Sequence, residues 1–275
     1  MSAPSRAATP PAEHALPHHK VHVLSREGKP GESVTLPIEF SSAIRTDLIR
    51  RAVDSARSHR RQPHGTSPTA GLRHSVEWSG KGKGVSRTPR LMDSMRGAQA
   101  PNTVSGRPAH PPRIETIWAK KVNVAERRLA FAAALAATRE TKLAKARGHA
   151  VPEGLHLPVI VATPVEEFGT AAEARTLLNT LDLWAEVERA ADGVHVRAGR
   201  GKRRGRTRRS PKSFLFVTSL PGKARGFRNL AGVDVVSVGR LGTEDLAPGG
   251  TPGRLTFFSV AALEGLRGRL AEAST

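Results

Sequence analysis

The sequence predicts an α/β fold: a three-layer α/β/α domain with a mainly parallel sheet, plus a long extended basic loop inserted before the main sheet. Three observations carry this. Short runs that are apolar on consecutive residues, such as Leu157-Pro-Val-Ile-Val-Ala162 and Phe214-Leu-Phe-Val217, alternate with stretches of helical period from residue 157 onward. Strands of that kind are buried on both faces, and strands joined through helices make right-handed parallel crossovers. Between two well-patterned regions, residues 57–113 show neither helical nor strand period, an unusual length of loop for a compact domain.

The elements follow in order. Residues 1–19 are rich in Ala, Pro, Ser and His, with Glu13 their one acid and no apolar signal core, and read as a flexible tail. Val21–Leu24 and Val34–Ile38 read as short strands around the turn Glu27-Gly-Lys-Pro-Gly31. Ser41 or Ser42 is placed to cap a helix with Ile44, Leu48, Ala52 and Ala56 on its apolar face. Arg57, Arg60 and Arg61 then meet the negative end of its dipole, and Pro63 stops it. Beyond the loop, Asn123 with Glu126 predicts a capping box opening an Ala-rich helix over Ala125–Arg147. Leu129, Ala133, Ala136 and Ala137 form its packed face and Gly148 ends it.

Thr170 with Glu173 predicts a second capping box, for a helix through Leu177, Leu178 and Leu181. Trp184–Val187 reads as a strand, continued by Val194–Arg197 in a hairpin across Ala191-Asp-Gly193. Then come a strand over Ser213–Thr218, a short helix over Ala224–Leu230, and strands over Val233–Val238 and Leu255–Phe258. A closing helix over Ser259–Glu272 carries Leu263, Leu266 and Leu270 on one face. The expected organisation is a tail over 1–19, a globular α/β domain from 20–56 and 114–275, and an extended loop over 57–113 within it.

The charge is as uneven as the patterning. The 275 residues carry a net +20. Residues 57–113 hold eleven Lys and Arg against Glu77 and Asp93, and residues 197–212 hold nine with no acid. Eighteen of the twenty excess charges therefore lie in 73 residues, leaving a nearly neutral domain with two concentrated basic segments. Cations packed that densely repel one another, and either a partner or disorder must meet that repulsion; a polyanionic partner is the favoured reading. The first segment also holds seven Gly and seven Pro, with Trp78 its only Phe, Trp or Tyr. It buries too little apolar area to order itself; its composition suits an extended arm that becomes ordered between nucleic-acid strands or a merely disordered linker, and the well-patterned structure on both sides favours the arm.

Other chemistry is missing. There is no cysteine, which removes disulfides, thiol catalysis and Cys-ligated zinc. No apolar run approaches the roughly 18 residues that span a bilayer, so no membrane partner is expected. The strand ends Ala162-Thr-Pro164, Thr218-Ser-Leu-Pro221 and Ser237-Val-Gly239 bring no acid, base and nucleophile together. Glu166 and Glu167, like Glu244 and Asp245, read as helix-start or turn residues. Gly80-Lys-Gly-Lys-Gly84 lacks the spacing and the strand–helix flanks of a nucleotide loop, though it suits backbone contact with phosphate. No cofactor is expected. His14, His18, His19 and His22 have no carboxylate or Cys partners at ligand spacing, so no metal is expected either. His110, in Gly106-Arg-Pro-Ala-His-Pro-Pro112, is either a group that stacks on a base or bonds a phosphate, or a turn histidine. Met92 and Met95 either meet a partner surface or stand free. What remains is a basic, non-enzymatic α/β protein.

Several stretches, taken together and in order, resemble a known family. They are Arg45-Thr-Asp-Leu-Ile49, Arg60-Arg-Gln62 with Gly65, Ala70-Gly-Leu-Arg73, Ser79-Gly-Lys-Gly82 and Gly106-Arg-Pro-Ala-His-Pro-Pro112. Leu135-Ala-Ala-Thr138, Arg228-Asn-Leu-Ala-Gly-Val-Asp234, Thr243-Glu-Asp-Leu-Ala-Pro-Gly-Gly250 and Pro252-Gly-Arg-Leu-Thr256 complete the set. Over nearly all the chain after about residue 30, it resembles the universal large-subunit ribosomal protein of the L-four family, archaeal/eukaryotic branch. The spacing between the glycine run and Gly106 is longer than in the family pattern, and the N-terminal tail lies outside the resemblance.

The resemblance implies a structural constituent of the large ribosomal subunit, cytoplasmic in the ribosome at one copy each. Its α/β domain would lie on the outside of the subunit, with the loop reaching into ribosomal RNA to line the nascent-peptide exit tunnel near its constriction. Expected partners are large-subunit rRNA, neighbouring large-subunit proteins and, transiently, the nascent peptide. The rRNA-binding candidates in the loop are Arg57, Arg60, Arg61, Arg73, Trp78, Lys81, Lys83, Arg87, Arg90, Arg96, Arg107, His110 and Arg113. Arg87, Arg90, Met92, Met95 and Arg96 are the candidates for the tunnel tip. In the second segment they are Arg197, Arg200, Lys202, Arg203, Arg204, Arg206, Arg208, Arg209 and Lys212, where planar guanidinium groups suit phosphate and base contacts. The alternative is a non-ribosomal RNA- or DNA-binding regulatory protein.

Overall fold

The computed structural model describes residues 19–274; of the tail expected over 1–19 only His19 lies within them, and His14 and His18 lie outside. Two units emerge, one from the chain up to Ala56 and from Lys121 onward, the other from Arg57–Lys120. The elements in chain order are β1 (Lys20–Leu24), β2 (Pro30–Thr35), α1 (Thr46–Ser58), β3 (Val76–Trp78), β4 (Pro89–Leu91), α2 (Val124–Arg139) and α3 (Thr141–Ala146). Then follow β5 (Val159–Val161), α4 (Ala171–Thr180), α5 (Trp184–Asp192), β6 (His195–Val196), β7 (Arg208–Arg209) and β8 (Leu215–Thr218). The chain closes with α6 (Arg225–Arg228), β9 (Asp234–Ser237), α7 (Thr243–Leu246), β10 (Thr256–Ser259) and α8 (Val260–Ser274).

The first unit is built on a six-stranded sheet in the order β2-β1-β5-β10-β8-β9. Only β1 and β2 pair antiparallel; β1/β5, β5/β10, β10/β8 and β8/β9 are parallel. Alternation along each strand divides the core. Ile160, Leu215, Val217 and Phe258 face one layer, with Ile49 and Val53 of α1, Ala133 and Ala134 of α2, and Leu263 and Leu266 of α8. Val159, Val161, Phe216 and Phe257 face the other, with Leu177 and Leu178 of α4, Val187 of α5 and Phe227 of α6. Phe216 stacks on Phe227 at 4.7 Å between centroids, and Phe40 meets Phe258 edge-on at 5.7 Å. The three-layer α/β/α reading therefore holds. No helix among the described residues is long and apolar enough to cross a membrane.

Several local expectations are corrected. The second strand runs Pro30–Thr35, not Val34–Ile38: the turn closes from Ser25 O to Gly28 N–H at 3.0 Å and sets Pro30 opposite Leu24. Ile38–Ser41 curls instead into a 3-10 turn that buries Phe40. Ser42 is extended there, so α1 starts only at Thr46; Ile44 stays exposed, and the buried face is Leu48, Ile49, Ala52 and Val53, without Ala56.

The single Ala-rich helix is two, broken at Glu140 (φ −81°, ψ 105°). Asn123 caps α2 by accepting from Ala125 N–H, but Glu126 completes no box because its carboxylate takes Arg51 at 2.9 Å. Leu129, expected inside, is 58% exposed; the Ala positions around it pack. The capping box of Thr170 and Glu173 forms as expected.

The strand expected over Trp184–Val187 is the helix α5. Leu183, Val187 and Ala190 fall on one helical face and are all buried, so packing overrides a short stretch that alternates like a strand. Val194–Arg197 accordingly has no partner across 191–193. His195 and Val196 pair instead with Arg209 and Arg208, deep in the second basic segment.

Candidate nucleic-acid interface

The Arg57–Lys120 unit is held by backbone proximity rather than by a core; the three hydrophobic clusters contain none of its residues. Its outgoing and returning legs run side by side. Thr66 N–H donates to Pro112 O at 3.2 Å, and the Gln99 amide donates to Leu72 O at 3.0 Å and His74 O at 2.6 Å. Glycine is required where the legs touch, since a Cβ on Gly71 would stand 2.6 Å from Arg107 N, and again within the returning leg, where a Cβ on Gly106 would stand only 1.9 Å from Ala100 O. A groove of about 450 Å³ between the legs is lined by Pro68, Leu72, Arg107, Pro112 and Arg113, among others.

Further out, β3 and β4 form an antiparallel hairpin with Trp78 opposite Pro89. Three-residue strands are too short for their alternation to stand out in the sequence. Between them Ser79 Oγ donates to Ser86 O at 3.2 Å and closes a loop in which Gly80, Gly82 and Gly84 all take positive φ. A Cβ on any of these three would meet nothing within 4 Å, so backbone conformation alone requires glycine here.

Of the loop candidates, Arg73, Lys81, Lys83, Arg87, Arg96, Arg107, His110 and Arg113 are exposed, and Trp78 is 65% exposed. Arg57 and Arg60 are also exposed. Arg61 is exposed with its guanidinium 5.5 Å from the Trp118 ring centroid. Met92 (70% exposed) and Met95 (58%) stand on the turn after β4. Arg90 differs: it is half-buried, donating to Met95 O at 2.9 Å and Ser86 Oγ at 3.0 Å, so it braces that turn. Sequence reasoning did not single out His64 and Trp118, whose rings stack in this unit. The readable signal was an aromatic beside Lys120 and Lys121.

The second segment is a hairpin. β6 and β7 flank a 3-10 turn over Gly199–Arg204 that Gly205 ends at φ +76°. Arg200, Lys202, Arg203, Arg204, Arg206, Arg208 and Arg209 are exposed, while Arg197 is half-buried with its Nε donating to Arg208 O at 3.0 Å. Lys212 is not available in the same way, because its Nζ lies 2.8 Å from both oxygens of Asp234.

Asp234 also receives the Arg254 guanidinium at 2.6 Å, and Arg254 is fully buried, donating to Ser213 O, Phe214 O and Asp245 O as well. Burial pulls the Arg254 pKa down and Asp234 only partly restores it. The base of the hairpin is tied in through Arg189, which donates to Lys212 O at 3.0 Å and to both oxygens of Glu186. Glu186 is fully buried and accepts further from His149 Nδ1 at 2.7 Å and Ala150 N–H at 2.8 Å. Burial alone would raise its pKa; the hydrogen bonds from Arg189 and His149 outweigh that and bring it to about 2.

Enzymes of this architecture bind substrate at the carboxyl ends of the parallel strands. Here that place is occupied by Glu166, which accepts from Ser219 N–H at 2.7 Å and Ser219 Oγ at 2.6 Å after β8, and from Ser259 Oγ at the end of β10. Ser259 Oγ in turn accepts Ala262 N–H at the start of α8. These groups saturate one another, as in a structural junction.

Residues 34–269 match the model of the ribosomal protein L4/L1 family. The chain is 45% identical over 256 residues to the large ribosomal subunit protein uL4 of Methanopyrus kandleri, covering 91% of this chain and 98% of the relative. It is 46% identical over 257 residues to that of Pyrobaculum aerophilum (92% and 90%), and 45% over 244 residues to that of Halorubrum lacusprofundi (89% and 96%).

Proposed function

The chain belongs to the ribosomal protein L4/L1 family, and we propose from that premise that it is a structural constituent of the large ribosomal subunit, cytoplasmic in the ribosome, with no catalytic role. The single observation that carries this is the family match over 34–269. Two exposed arrays of cations agree with it, since folding large-subunit RNA demands charge neutralisation over long stretches of backbone. The exposed Lys and Arg of 57–113 and of the 195–209 hairpin are the rRNA contacts in this reading, with Arg90 bracing the turn that carries Arg96, Met92 and Met95. Those residues, with Arg87, are the part of the loop that lines the exit tunnel and passes the nascent peptide. Neighbouring large-subunit proteins are the remaining partners, at one copy per ribosome.

Sedimentation of a native lysate on a sucrose gradient, before and after a high-salt wash, tests this. Retention on the large subunit at about one copy after the wash is expected. A protein that washes free would be a non-ribosomal RNA- or DNA-binding regulator, because affinity that comes from phosphate contacts alone falls steeply with salt.

A further inference from the structure

Trp118 lies half-buried on the returning leg of the Arg57–Lys120 unit, and two side chains of the outgoing leg rest on it. The His64 ring stacks on it with centroids 5.1 Å apart and planes 16° from parallel, and the Arg61 guanidinium lies 5.5 Å from its centroid. The His64 side is exposed, as is every neighbour from Arg61 to Thr69. Its backbone is nonetheless held. Pro63 restricts φ on one side. On the other, Gly65 runs so close to the returning leg that a Cβ would stand 3.0 Å from Ile114 N, and Thr66 N–H is bonded to Pro112 O.

His64 covers Trp118 and remains exposed. It offers a ring to solvent, backed by indole and already positioned, so a second ring laid on it costs little further freedom. Arg57, Arg60 and Arg61 follow one another on the same leg and Lys120 sits two residues past Trp118. A flat aromatic stack with the Arg61 guanidinium against it is complementary to a nucleotide, the base on the ring and the phosphate toward the charge.

We infer that His64, backed by Trp118 and Arg61, is a stacking platform for one unpaired nucleobase. This rests on the rRNA-binding reading above and deepens it: contact at this point is to a base plane, whereas the Lys and Arg arrays contact phosphate. The test uses the full chain in a Trp78→Ala background, which removes that exposed ring from competition. The probes are a short single-stranded oligoadenylate carrying one 2-aminopurine and an abasic oligonucleotide of equal length. Stacking quenches the 2-aminopurine. Relative to that background, His64→Ala is expected to weaken the base-bearing probe by about tenfold and lose the quench, leave the abasic probe unchanged, and be rescued by His64→Phe. Equal base preference with and without His64, or a failure of Phe to rescue, overturns the platform while salt-dependent binding of the abasic probe upholds the RNA reading. Absence of binding to both probes at low salt overturns the two together.

Discussion

At the scale of single residues, charge type alone misjudges what a cation is for. Lys212 belongs to a run of nine Lys and Arg, yet Asp234 holds its ammonium at 2.8 Å. Arg203, nine residues earlier, is exposed on the hairpin turn. Arg203→Ala is therefore expected to flatten the salt dependence of single-stranded RNA binding by about 0.7 in slope, and Lys212→Ala by clearly less; equal effects would deny Asp234 its hold. Glu186 sets a different test. Its pKa is depressed from the ordinary 4.5 to about 2, so its contribution to stability is complete above pH 4.5 and is lost as pH falls toward 2. The span corresponds to roughly 3 kcal/mol. Urea unfolding between pH 7 and pH 2.5 is expected to show that loss in the wild type and a flatter profile in Glu186→Gln. Parallel profiles would mean that other carboxylates govern acid unfolding.

At the scale of elements, the basic hairpin is separable from the sheet it follows. β6 and β7 pair only with each other, and their exposed turn contributes nothing to either side of the core. Replacing residues 198–206 by a Gly-Ser link of equal length removes five cations. It is expected to leave the urea midpoint unchanged and lower the salt slope by up to about 3.5. A large loss of stability would show that the hairpin braces Arg189 and Glu186 through more than Lys212 O. The capping box of α4 is the opposite case: Thr170→Ala is expected to cost about 1 kcal/mol by the same measurement and to leave RNA binding untouched.

At the scale of the whole molecule, the hydrophobic clusters and the exposed cation arrays occupy different parts of the chain. No residue between Arg57 and Lys120 belongs to a hydrophobic cluster, so deleting residues 75–110 and bridging with a short flexible link is expected to preserve the cooperative unfolding of the α/β unit. In cells the same deletion is expected to perturb large-subunit assembly, read as altered precursor particles on a gradient; normal assembly would argue against the role given to the loop.

How much of this was legible beforehand follows from the range of the forces involved. Consecutive apolar residues at 159–161, 215–217 and 257–258 determined a doubly covered parallel sheet, because only burial on both faces accommodates such runs. The two basic segments were equally plain, since like charge at that density must be met by a polyanionic partner or by disorder whatever the fold. Pairing over distance was not legible. That Trp184–Asp192 is a helix, that Glu126 meets Arg51, that Asp234 claims Lys212 and Arg254, and that His64 stacks on Trp118 each depend on a residue 20 to 75 positions away, or on the packing of a face. Composition and period determine which residues must leave water and which charges need a partner; only the tertiary structure decides which partner is within reach, because a hydrogen bond or a ring stack acts over a few ångströms.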